Sequence, residues 1–68
     1  MNFEICFLDE KGRLACQMTA YFSDPGHAAR YAREVMHTSA CVHFHAAEIH
    51  GFELPMAFLV ESDHRRAA

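Results

Sequence analysis

Apolar and polar residues alternate with a period of two from Asn2 to Phe7: Phe3, Ile5 and Phe7 fall on one side, Asn2, Glu4 and Cys6 on the other. That period is the signature of a half-buried strand. Asp9-Glu10-Lys11-Gly12 supplies a turn, since Gly12 takes positive φ at little cost. The alternation then resumes, with Leu14, Cys16, Met18, Ala20 and Phe22 facing one way and Ala15, Gln17, Thr19 and Tyr21 the other. At Ser23-Asp24-Pro25 the period changes. Asp24 predicts an N-cap and Pro25 the first helical position, where a missing N–H costs nothing. Ala28, Tyr31, Ala32, Val35 and Met36 then line one stripe, and Arg30, Arg33, Glu34 and His37 the opposite one. This predicts an amphipathic helix of about 13 residues, close to the globular mean.

A third alternation sets Val42, Phe44 and Ala46 against Cys41, His43 and His45. Ala46-Ala47 reads as a phase slip of the kind a β-bulge makes, and His50-Gly51 as a hairpin turn. The fourth alternation is the cleanest, with Phe52, Leu54, Met56, Phe58 and Val60 against Glu53, Pro55, Ala57, Leu59 and Glu61. Pro55 cannot donate to a ladder, which puts this strand at a sheet edge or at a bulge, and a short helix starting at Pro55 is the rival reading. The expected architecture is α+β: two β-hairpins flanking one α-helix (ββαββ), with an antiparallel four-stranded sheet carrying the helix on one face. A single domain is expected over 1–61 and a flexible tail over 62–68.

One helix covers one side of such a sheet. Phe3, Ile5, Phe7, Leu14, Met18, Val42, Phe44, Leu54 and Phe58 are assigned beneath it. Cys6, Leu8, Ala15, Tyr21, Cys41, His43, His45 and Leu59 are assigned to the uncovered side, whose mixed character is that of an interface. A chain of 68 residues has a marginal core, and a symmetric second subunit is the commonest remedy. A homodimer is therefore expected, with Cys6, Leu8, Tyr21, His43, His45 and Leu59 at its interface. Arg30, Arg33, Glu34 and His37 offer a second docking surface on the outer face of the helix.

Charge narrows the partners. Six Lys and Arg stand against nine Asp and Glu, for a formal charge of −3, so a nucleic acid is a poor candidate. Three cysteines are odd in number and too few for a disulfide framework, which suits a reducing cytoplasm. The start Met1-Asn2-Phe3-Glu4 has no basic n-region, and Leu54 to Val60 is too short to span a bilayer. No membrane role is expected.

Six histidines are the one compositional excess. Cys41, His43 and His45, two apart on a strand, would project to one side and offer a thiolate and two imidazoles, with His50 a fourth ligand; zinc or copper suits that set. Close ligand pairs such as CxxC or HxxxH are absent, and histidines on an exposed strand face are the simpler reading, so no cofactor is expected. Cys6 or Cys41 beside a histidine is a weak case for a nucleophile. No strained elbow or phosphate loop accompanies it, so no enzymatic activity is expected.

The β-β-α-β-β plan resembles, in plan and size, HicB-like antitoxin domains and compact anti-CRISPR inhibitors of bacterial and phage origin. Tyr21-Phe22-Ser23-Asp24-Pro25-Gly26 stands where HicB-like domains carry a Pro-Asp-Leu-Pro-Gly-Cys-type turn, so no residue role transfers. The resemblance implies a module that occupies a surface on something larger. The expected function is a small non-enzymatic protein-binding or regulatory module, such as an inhibitor of a larger protein or nucleoprotein assembly; a transition-metal-binding protein using the Cys-x-His-x-His strand is the alternative.

Overall fold

The computed structural model describes residues 1–38 and 43–62. Four strands and one helix follow in the order β1 (Asn2–Leu8), β2 (Leu14–Tyr21), α1 (Pro25–His37), β3 (Ala46–Gly51) and β4 (Ala57–Glu61). All neighbouring strands are antiparallel, and the sheet order is β2-β1-β3-β4. The described residues thus form an α+β unit with one sheet and one helix. β2 and β3 both run against β1 and are therefore parallel to each other, with the helix as their crossover and the N-terminal strand between them.

The helix starts where its capping chemistry dictates. Asp24 Oδ1 accepts the His27 N–H at 2.8 Å, and Pro25 follows directly. It stops at Thr38, whose N–H and Oγ1 both donate to the Val35 carbonyl, at 3.1 and 2.8 Å. Ala28, Ala29, Ala32 and Met36 are buried. With three alanines on the inner stripe, the backbone lies close against β3 and β4. Tyr31 is more exposed than its place on the stripe implies, resting 5.4 Å from the Phe22 ring at the rim.

Directly opposed residues share a face, so the register sorts the two sides. Under the helix lie Ile5, Met18, Ile49 and Phe58 in one row and Phe7, Cys16, Ala47 and Val60 in the next. Phe3, Ile5, Phe7, Met36 and Ile49 are the largest fully buried side chains. Phe44 closes the end of this core by stacking on Phe7, with centroids 5.0 Å apart.

Several expectations need correction. Phe7 pairs with Cys16 but Leu8 with Leu14, which leaves Ala15 as the extra residue of a bulge. That slip reverses the phase, so Leu14 lies on the open face and not under the helix. The third strand is Ala46–Gly51, not the alternation around Val42 and Phe44; His43 sits in a turn, and Phe44 is buried by the stack on Phe7. The slip at Ala46-Ala47 marks where the ladder begins. His50-Gly51 is the end of that strand and not a hairpin turn. Only Ala57–Glu61 of the fourth alternation is strand, because Pro55 interrupts the ladder and the Gly51 N–H closes a loop on the Met56 carbonyl at 3.0 Å. Leu54 is consequently exposed in that loop. A Cβ on Gly51 would stand 2.8 Å from the Leu54 carbonyl oxygen, so glycine permits this close return. β4 is an edge strand, and no helix starts at Pro55. Ser62, assigned to the tail, is 2% exposed and donates its N–H to the His45 carbonyl at 2.9 Å. Cys41, Val42 and residues 63–68 lie outside the described residues.

Candidate functional site

The open face of the sheet is built from three rows: Glu4, Thr19, His50 and Ala57; Cys6, Gln17, Glu48 and Leu59; Leu8, Leu14, Ala46 and Glu61. Tyr21, opposite Asn2, ends it. Among the described residues no second helix crosses it. Leu14, Tyr21 and Leu59 are 58%, 72% and 55% exposed, whereas Cys6 and Leu8 are half-buried by their neighbours. Apolar groups thus stand at the periphery of a polar centre. Glu4 accepts a hydrogen bond from Gln17 Nε2, and the His50 ring lies 3.3 Å from Glu48 Oε1.

Three carboxylates (Glu4, Glu48 and Glu61) give this face its sign, and His50 is the one basic side chain in the three rows. Cys6 sits among them. Partial burial pushes its thiol pKa up, and the charge of Glu4, the hydrogen bond to Glu4 and the charge of Glu48 push it further. Its thiolate, the form a nucleophile needs, is disfavoured.

His43 and His45 lie elsewhere. They line a cleft of about 370 Å³ with Asp9, Glu10, Lys11 and Arg13, at the end of the sheet where β1 turns into β2. Asp9 organises that turn: its Oδ1 accepts the N–H groups of Lys11 and Arg13, both at 2.9 Å, and Gly12 adopts φ +79°. Arg13 Nε approaches Asp9 Oδ2 at 3.4 Å. These backbone donors and the guanidinium hold the Asp9 pKa below its usual range.

Of the residues expected at an interface, Cys6, Leu8, Tyr21 and Leu59 share the open face. His43 and His45 do not, because the strand meant to carry them begins only at Ala46. Of the described members of the metal set, His50 stands apart from His43 and His45. His50 is at the far end of β3 from His45, about 16 Å along the strand at 3.3 Å per residue. No group of three His, Cys, Asp or Glu side chains that could hold a metal occurs among the described residues, and Cys41 is not among them. Arg30, Arg33, Glu34 and His37 are all exposed on the outer helix face, as their spacing requires.

Leu14, Tyr31, Phe52 and Leu54 are the exposed apolar residues that pattern reading misplaced. For the last two the signal was present: Gly51 and Pro55 bracket a segment too short to form a ladder of its own. That loop is held down by Glu53, whose carboxylate accepts the Asn2 N–H at 2.8 Å and Asn2 Nδ2 at 2.9 Å. No family model, curated protein or solved structure matches the chain. No helix among the described residues is long and apolar enough to cross a membrane.

Proposed function

We propose that this chain is a small non-enzymatic protein-binding module of the regulatory or inhibitor kind, which docks a larger protein on the open face of its sheet. The observation that carries the reading is a sheet face that no second helix crosses among the described residues, with Leu14, Tyr21 and Leu59 projecting at its periphery and Glu4 and Glu48 on its inner strands. Peripheral apolar anchors around charge fit a partner surface that is cationic and aliphatic. Self-association through this same face is disfavoured, since it gathers the three carboxylates of each copy into one interface.

Affinity capture from the native host, followed by mass spectrometry, tests the reading through variants. A partner held by the wild type and by Arg30→Glu/Arg33→Glu, but lost by Glu48→Arg/Leu59→Arg, supports it. Loss with the helix-face variant and retention with the sheet-face variant moves the docking surface to the helix.

One observation favours the metal alternative: His43 and His45 share a cleft. Stoichiometric zinc or copper in untagged protein, abolished by His43→Ala/His45→Ala, would establish it in place of the docking reading.

A further inference from the structure

The geometry points to the free edge of β2 as a self-pairing surface that joins two copies of this chain into one continuous eight-stranded sheet. This deepens the reading of the chain as an interaction module. It uses β2, whereas the partner test substitutes residues of β3 and β4.

β2 has a single ladder neighbour among the described strands. It is the longest strand in the sheet at eight residues, and its sequence, Leu-Ala-Cys-Gln-Met-Thr-Ala-Tyr, has no charged residue and no proline. Natural edges are guarded by shortness, charged side chains, proline or a bulge. The opposite edge has such guards: β4 is five residues long, ends in Glu61 and follows Pro55. β2 has only the bulge at Ala15, which sits at one end and leaves Cys16–Tyr21 in unbroken register with β1.

A two-fold axis perpendicular to the sheet makes the pairing antiparallel and keeps each face continuous with its copy. Cys16, Met18 and Ala20 then meet the same three residues on the helix side, where α1 lies over β3 and β4 and leaves Met18 and Ala20 half-exposed. Gln17, Thr19 and Tyr21 meet on the open side. None of these six carries a charge, so no like pair is opposed in any register.

Charge also decides between edge and face. In edge pairing the two β1 strands, with their Glu4 carboxylates, are three strand spacings apart, about 14 Å, beyond the roughly 8 Å screening length at physiological salt. Stacking the open faces about 10 Å apart would instead bring Glu4, Glu48 and Glu61 of both copies into one interface. The second copy therefore fits at the edge.

Sedimentation of the wild type and of Gln17→Lys/Thr19→Lys tests the inference. Both lysines face Glu4 within their own chain, Thr19 by register and Gln17 by its existing hydrogen bond, so the fold keeps a partner for them. Across the two-fold they confront one another. The expected result is twice the 7.7 kDa chain mass for the wild type and a single chain for the variant, with unchanged circular dichroism. Amide exchange on the wild type gives an independent reading: protection of alternate β2 amides should rise with protein concentration. A wild type that stays monomeric at 100 µM, a variant that stays dimeric, or β2 amides whose exchange ignores concentration would each overturn edge pairing. Capture of a partner through Glu48 and Leu59 would survive that failure, which separates the two conclusions.

Discussion

β1 and β2 are paired residue against residue, yet they live in different solvents. Phe3, Ile5 and Phe7 are buried, while their partners Ala20, Met18 and Cys16 on the same side of the sheet are half-exposed or exposed. Both strands show the same alternation, so periodicity alone does not distinguish them. What does is sheet order: β1 is flanked on both sides, whereas β2 has one neighbour and lies to the side of a helix that packs chiefly on β3 and β4. The inner strand holds the fold, and the outer strand is left for other uses.

The sharpest way to break this contrast is to truncate one residue in each strand. Phe7→Ala removes a fully buried ring stacked on Phe44 and should cost about 3–5 kcal/mol in urea unfolding, whereas Met18→Ala should cost about 1 kcal/mol. Equal losses would mean that β2 is as much core as β1. Gly51→Ala comes next. The added methyl meets the Leu54 carbonyl and should destabilise by about 1–3 kcal/mol, and a chemical-shift map should show the change in the loop beside β1 and not along β2. Asp24→Ala removes the helix cap for about 1 kcal/mol, and Asp24→Asn should restore most of that in the same melt.

The smallest effects are expected from acid. Asp9 and Glu53 both have depressed pKa values: Asp9 through the backbone N–H groups of Arg13 and Lys11, Glu53 through the backbone and side chain of Asn2. A depressed carboxylate adds stability that is fully present above its unfolded value near 4 and is lost as pH falls through the lower folded value. Stability should therefore decline below about pH 4, and Asp9→Asn/Glu53→Gln should flatten that decline. A variant as acid-sensitive as the wild type would remove these two clasps from the account.

How far the sequence reveals this molecule depends on the segment. The hairpin of β1 and β2 and the helix were legible because strong local signals agree: Phe3, Ile5 and Phe7 alternate, Gly12 permits the turn, and Asp24-Pro25 opens the helix. The open-face positions of Cys6, Leu8, Tyr21 and Leu59 followed from the same alternation. Leu14 did not, because a bulge at Ala15 leaves no trace in hydrophobic pattern. β3 was hidden for a physical reason. Ala-Ala-Glu-Ile-His-Gly contains one strong strand former, Ile49, and its place is set by pairing with β1 some forty residues earlier. Val42-His43-Phe44 mimics a strand better, although Phe44 is buried through an aromatic stack made across the fold.

The interior position of the N-terminal strand also has a consequence for biogenesis. Phe3, Ile5 and Phe7 are made before the rest of the sheet, and β3, the strand that flanks them, is made about forty residues later. At translation speeds of about 5–20 residues per second, roughly 2–8 s separate the synthesis of that greasy ribbon from that of its flanking strand. Chains that end between the helix and β3 should therefore aggregate more readily than the full chain, because Ile49 and its strand are what flank that ribbon.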